Sequence, residues 1–273
     1  MSNFGLGHGS EPISRWKPAG RTAQTAAPKV EPARRSFGSS LGIEGTAYRT
    51  GAGRVKAISF FSGGKDSVMA IMMAKKANLE VAHLIMDLFD FPRASAHQLN
   101  LEFVKANASL MGLPITAERL HKGQEVQILR DALKRLGAEA MIAGDINVEA
   151  HLNWYKELCA PLNVEVILPL WAEQGRTTMD ILLDELRAGI RSVIVQADGK
   201  YLPRRMVGEV IDEAMVPELA GMCDPAGENG EYHSLVFESP LMYGSLSITD
   251  YDVQETEGHY AMVIKNFDVK RDR

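Results

Sequence analysis

The chain has 273 residues, 45% of them apolar and 24% charged, with a formal net charge of −5. This is a globular balance with enough apolar residues for a sizeable core. It excludes a membrane span, since no apolar run approaches the roughly 20 residues needed, and its two distant cysteines, Cys159 and Cys223, exclude a disulfide framework or a CxxC metal or redox site.

Residues 1–54 carry eight Lys or Arg against three Asp or Glu, which leaves 22 basic and 32 acidic residues in the remainder. An acidic body argues against general nucleic-acid binding. The head is rich in Gly, Ser, Ala, Pro and Arg without an apolar period, so a disordered tail is expected over 1–54. A cytoplasmic setting is expected from the reduced cysteines and from a start without an apolar secretory core.

From Val55 short β-rich runs alternate with helical ones. "VKAISFF" reads as a strand and "DSVMAIMMAKKAN" as a helix. "EVAHLIMD" is a strand, and "SAHQLNLEFVKANASLMG" a helix closed by Gly112 and Pro114. "PITAERL" is a third strand, followed by a helix near 124–136. "AEAMIAG" is a fourth, followed by a helix over "VEAHLNWYKELCAPL", and "VEVILPLW" is the fifth. Such alternation, with strands apolar throughout, predicts a five-stranded parallel α/β sheet with helices on both faces. Beyond Trp171 come a helix "TTMDILLDELRAG", a strand "IRSVIVQA", a Pro- and Gly-punctuated helix near 204–215, the loop "CDPAGENGEYHS" and the strand "LVFESPL". The end alternates like antiparallel β structure. The division expected is a tail (1–54), a nucleotide-binding domain (55–172), a smaller α+β substrate domain (173–250) and a C-terminal β extension (251–273).

The stretch Ser62-Gly63-Gly64-Lys65-Asp66-Ser67 falls between the first strand and the first helix. Open α/β sheets bind ligands at that edge. A helix start leaves N–H groups free with the positive end of the dipole behind them. Gly63 and Gly64 let the backbone approach an anion, Ser62 and Ser67 add hydroxyls, and Lys65 adds a charge. Asp66 would repel phosphate unless Mg²⁺ bridged carboxylate and phosphates, so a metal–nucleotide complex is expected, with Asp66 as its metal ligand. The spacing fits neither the Walker A pattern nor GxGxxG.

SGGKDS resembles the PP-loop of the ATP pyrophosphatase families. Together with "SAHQLNLEFVKANASLMGLPI", "GDINVEAHLNWYKELCAPLNVEVILPLW" and "CDPAGENGEYHSLVFESPL", in that order, it makes residues 55–243 similar to the diphthine–ammonia ligase family and its bacterial relatives. The resemblance implies a HUP-type, Rossmann-like domain binding ATP and Mg²⁺, a smaller domain closing over the substrate, and ATP-dependent condensation of a carboxylate with ammonia. The carboxylate would be adenylated with release of pyrophosphate, and AMP would leave on amidation. It places Ser62 to Ser67 on the ATP loop, the main chain near Ile85 and Met86 at the adenine, and Gly144 and Asp145 on the turn after the fourth strand. Glu228, Asn229, Gly230, Glu231 and His233 fall on the signature of the second domain. His97 matches a His of many bacterial relatives and is expected to meet substrate. Ala226 stands where the family often has Cys, and "LFDFPRAS" departs from amidating members, which leaves the acceptor open: diphthine on elongation factor 2, or a small acid if the source is bacterial.

Read singly, Asp145 is a second Mg²⁺ ligand, a ribose contact or a helix cap. Glu231 and His233 share one face of an extended segment, as a general base pair at the ammonia or as a loop glutamate and a structural histidine. Glu228 builds a tight turn or meets substrate. Lys65, Asp66, Asp145, Glu231 and His233 are therefore the expected catalytic set. His151 reads as a surface or packing residue. Two other readings stand beside the ligase: sulfur transfer to tRNA, disfavoured by the distant cysteines, and a nucleotide-sensing module without turnover. A homodimer stays open.

Overall fold

Lys56–Phe60 (β1) is the central strand of a five-stranded sheet in a computed structural model that describes residues 49–50, 53–89, 95–172 and 175–272. The other strands are Glu80–Leu88 (β2), Ile115–Arg119 (β3), Ala140–Ile142 (β4) and Glu165–Ile167 (β5). Their order is β3-β2-β1-β4-β5 and every pairing is parallel. Alternate residues of each strand enter opposite cores, as a pleated strand buried on both faces requires. Ala57, Leu84, Met86 and Ile142 join Val68 and Ile71 of helix α1 (Lys65–Lys76) and Phe103 and Leu110 of α3 (Leu101–Leu110). Ile58, Ile85 and Met141 join Leu129 and Leu133 of α4 (Glu125–Leu136) and Leu158 of α5 (Glu149–Cys159). The expected parallel α/β sheet with helices on both faces is thus what the chain forms.

The helix expected over 95–112 is broken. Ala96–Leu99 (α2) stops at Asn100, and α3 begins at Leu101. The cause is the Asn100 side chain. Its Nδ2 donates to the carbonyls of Ala96 (2.7 Å) and Met262 (2.8 Å), and its Oδ1 accepts from the Ile264 N–H at 2.7 Å. A buried amide that ties the chain's late strand to its second helix outweighs one uninterrupted helix.

The second sheet is antiparallel. Arg191–Asp198 (β6), Val210–Ile211 (β7), Tyr232–Glu238 (β8), Gly244–Thr256 (β9) and His259–Arg271 (β10) lie in the order β8-β9-β10-β6-β7, and β8 also pairs with β6. Four strands therefore close into a ring, and β7 is added outside it along β6. The helix expected near 204–215 is absent. Arg204–Met206 forms a single 3₁₀ turn, and Gly208, at φ +100°, returns the chain to β7. The helix, Val216–Met222 (α7), starts only at 216, with Pro217 in its first turn. Ahead of this sheet, Thr178–Arg187 (α6) opens on a capping box between Thr177 and Asp180.

The main core cluster runs from α1 and α3 into Ile181 and Leu182 of α6, Val193 to Val195 of β6 and Leu235 of β8 without a gap. Of the expected tail, only Arg49–Thr50 and Gly53–Arg54, which pair antiparallel, are described; the rest lies outside the described residues, as do residues 90–94 of "LFDFPRAS". The expected division at 172/173 falls beside residues 173–174, also outside the described residues, and that at 250/251 falls inside β9. Among the described residues no helix is long and apolar enough to cross a membrane.

Candidate functional site

The turn after β1 is shaped by three separate parts of the chain. Gly63 is left-handed at φ +81°, and a Cβ there would lie 3.1 Å from both Leu235 and Val104. Gly63 O accepts from Val236 N–H at 2.9 Å, and Lys65 N–H donates to Ser234 Oγ at 3.3 Å, so β8 braces the turn from 169 residues away. Ser62 Oγ accepts from Gly64 N–H (3.2 Å), and Ser67 Oγ donates to Gly64 O (2.9 Å). From the other side, the chain leaving β4 presses against the first turn of α1. A Cβ on Gly144 would stand 2.7 Å from the Asp66 carbonyl carbon and 2.8 Å from Ser67 N. Only glycine permits that approach.

Two adjoining clefts of about 480 Å³ each open at this turn and share Ser62, Asp66, His97, Glu228 and His233. The first has an apolar wall of Phe60, Ile85, Met86, Phe89, Ala143 and Tyr155. The second is the more polar of the two, lined by Gly64, Lys65, His151, Asn229, Gly230 and Ser234.

Lys65 is buried beneath the turn. Its Nζ lies 2.6 Å from Asp66 Oδ1, 3.4 Å from Glu185 Oε2 and 5.9 Å from the Tyr232 ring centre. Burial alone would lower its pKa, but the charges of Asp66 and Glu185 outweigh burial and hold it well above the usual lysine range. Glu185, on α6, is equally buried, and neither of its oxygens has a hydrogen-bond partner. Burial first, and then Asp66, hold its carboxyl well above the usual carboxylate range, against the pull of Lys65.

Asp145 is engaged on both oxygens. Oδ1 meets His151 Nδ1 at 2.6 Å and Oδ2 accepts from the Tyr155 hydroxyl at 2.9 Å. The bond to Asp145 raises the His151 pKa; the ring lies on the exposed surface of the helix, as expected, and also borders the second cleft. Glu228 Oε1 accepts from the N–H groups of Ile146 (2.7 Å) and Asn147 (3.1 Å), which ties the late loop to the exit of β4. Burial, against those two bonds, pushes its carboxyl up to about 7. Glu231 turns inward: its carboxylate accepts from the Asn229 backbone at 3.0 Å, the Asn229 side chain at 3.2 Å and Asp224 N–H at 3.4 Å. His97 stacks edge-on against His233, with ring centres 5.1 Å apart. Burial, then His233, push the His97 pKa down to about 3, so its ring is neutral, and its Nδ1 is buried without a partner.

The structure gathers Ser62, Gly64, Lys65, Asp66, Ser67, Ile85, Met86, His97, Gly144, Asp145, Glu228, Asn229, Gly230 and His233 around the two clefts. Gly63 and Glu231 lie behind the walls, shaping turn and loop. Four contributors escape sequence reasoning: Glu185, Asp87, Tyr155 and Ser234. Glu185 did carry a signal, for it shares the buried face of α6 with Thr178, Ile181 and Leu182, where a carboxylate needs a partner. Among the described residues no three His, Cys, Asp or Glu side chains gather as a metal site. Burial pushes the Cys159 thiol up to about 11 and the Cys223 thiol up to about 12, leaving neither a ready nucleophile.

Residues 55–166 match the family model described as the diphthamide synthase N-terminal domain, and residues 176–272 match the diphthamide synthase C-terminal domain. The diphthine–ammonia ligase of Schizosaccharomyces pombe (strain 972) is 22% identical over 233 residues, covering 74% of this chain. The chain spans 37% of that protein's length. With both halves matched in order, this chain belongs to the diphthamide synthase family.

Proposed function

We propose that the chain is an ATP-dependent, amide-forming ligase that activates a carboxylate by adenylation and condenses it with ammonia. The observation that carries this reading is the meeting of two clefts at one braced turn. The apolar first cleft suits a nucleoside, and the more polar second cleft suits an acceptor. The α-phosphorus would lie where they join, at Ser62 and Asp66.

The turn can hold a polyphosphate through the N-terminal N–H groups of α1 and the hydroxyls of Ser62 and Ser67. Lys65 adds positive charge from beneath, but Asp66, 2.6 Å away, already shares that charge. The anion therefore needs a further counter-charge. A divalent ion bound with a nucleotide asks only one or two carboxylates of the protein, and Asp66, on the shared wall, fits that need. Mg²⁺ held there would supply Lewis-acid stabilisation of the departing pyrophosphate.

In the first step an acceptor carboxylate oxygen bonds to the α-phosphorus and pyrophosphate leaves, which yields an acyl adenylate. In the second, the ammonia nitrogen bonds to the acyl carbon, the bond to the AMP oxygen breaks, and one proton is released. His233 borders both clefts and is the proton acceptor we assign, with the neutral His97 ring packed against it. Glu228 orders the late loop across the β4 exit.

The acceptor follows from the relative's name only as a class. Diphthine on elongation factor 2 and a panel of small carboxylic acids are the two arms of the test. Wild-type protein with Mg-ATP, ammonia and the correct acceptor is expected to release pyrophosphate and AMP, and Lys65→Ala or Asp66→Ala to abolish both. Release of ADP would overturn the reading.

A further inference from the structure

Asp87 takes no part in the chemistry above, yet its side chain lines the apolar cleft beside Met86 and Phe89. No Lys or Arg lines that cleft among the described residues. The adjacent strand brings another carboxylate: Asp87 pairs in register with Glu118 of β3, and Glu118 is itself held by Arg135. Tyr155, across the cleft, gives its hydroxyl to Asp145. Asp87 Oδ1 is thus shut away from water without a hydrogen-bond partner. A carboxyl oxygen left so in a cleft built for a ligand is satisfied when the ligand brings a donor.

An adenine base offers one exocyclic donor, the 6-amino group, next to an acceptor ring nitrogen. Purine riboside carries hydrogen there and keeps the ring nitrogen, so it lacks the donor alone. We propose that Asp87 reads the 6-position of the purine, its carboxyl accepting the adenine 6-amino N–H, and so sets the base preference of this cleft. Burial first, and then the charge of Glu118, push the Asp87 carboxyl up to about 7. A proton is therefore available near neutrality, and the acid form can donate to the ring nitrogen while its carbonyl oxygen accepts from the amine. The inference rests on the nucleotide reading of the cleft.

The experiment is equilibrium binding of ATP, purine riboside 5′-triphosphate and 2′-deoxy-ATP, with Mg²⁺ and without acceptor, to the full wild-type chain and to Asp87→Asn and Asp87→Leu. Purine riboside carries hydrogen where ATP carries the amine. Wild type is expected to bind ATP about tenfold or more tightly than the 6-hydrogen analogue, which leaves the buried Oδ1 without a donor. In Asp87→Leu the ratio falls towards one. In Asp87→Asn it is kept, because the amide oxygen accepts from the amine while its NH₂ faces the ring nitrogen. If the Leu variant unfolds, the wild-type comparison decides the matter. An unchanged ratio in Asp87→Leu, or equal affinities in wild type, overturns the proposal. So does a variant that loses its discrimination against 2′-deoxy-ATP and keeps its base preference, for then the carboxyl holds the ribose. Wild type binding none of the three nucleotides would instead overturn the nucleotide reading itself, and this inference with it.

Discussion

The cluster under the turn makes a quantitative demand. Lys65 and Glu185 side chains are 2% and 1% exposed and 3.4 Å apart, while Asp66, 2.6 Å from the same Nζ, is 29% exposed. Lys65→Met deletes the cation and leaves two carboxylates facing each other, one of them fully desolvated. Removing one member of a buried ion pair costs about 3–5 kcal/mol, and this variant should lie in that range. Glu185→Leu differs. Asp66 still neutralises Lys65, and a carboxylate that accepts no hydrogen bond is itself costly to bury. Its cost should be at most about 2 kcal/mol, with stabilisation as an allowed sign, as seen when buried ion pairs give way to apolar groups. The double variant removes cation and orphan together, so the singles should not add, and the coupling should be roughly 1–3 kcal/mol. Urea denaturation followed by circular dichroism on the four proteins gives the cycle. Additivity within about 0.5 kcal/mol would refute the claim that Glu185 holds Lys65 in place.

Two further changes probe the walls of the site. Gly144→Ala puts a methyl 2.7 Å from the Asp66 carbonyl carbon, which is backbone and cannot swing away. We expect a loss of about 1–3 kcal/mol by thermal or urea unfolding, with weaker Mg-ATP binding by calorimetry; wild-type values for both would contradict the close approach. Glu228 has a folded pKa of about 7 against an ordinary 4.5, so the folded state binds its proton more tightly than the unfolded chain does. Its contribution is therefore complete below about pH 4.5 and is lost as pH rises towards 7. Glu228→Gln should flatten the fall in urea midpoint over that window, and an unchanged slope would assign the fall elsewhere, Asp87 being the other carboxyl raised to about 7.

The parallel sheet was readable because its signals are local. Each apolar run is bounded by a breaker, and the strands alternate between two cores whichever helices cover them. The glycine turn between the first strand and the first helix was readable for the same reason, since its six residues are consecutive. Failures came where a distant partner decides a local shape. Asn100 interrupts a good helical pattern because it bonds Met262 and Ile264, more than 160 residues on. Residues 204–215 have helical composition, but Gly208 N–H donates to Ile194 O at 2.8 Å, which draws the chain into the sheet. Glu231 and His233 alternate as expected, but the Asn229 amides claim the carboxylate and turn it away from the cleft. The pairing of Asp145 with His151 was within reach: six residues separate them, and the first turn of α5 brings His151 back over the β4 exit.

The same contrast bears on what the turn can do by itself. Its residues are contiguous, but its conformation is not specified by them alone. Gly63 O is held by Val236, Lys65 N–H by Ser234, and Lys65 Nζ in part by Glu185, all from the half of the chain beyond residue 176. Gly144 presses on it from the parallel sheet. An anion site built of backbone N–H groups works by being fixed before the anion arrives, because donors that must reorganise lose much of their electrostatic advantage. The late strand therefore belongs to the proposed phosphate site as much as the glycines do. This accounts for a continuous apolar core running from α1 into β8, where two loosely joined domains would have left the turn free to collapse onto its own carboxylate.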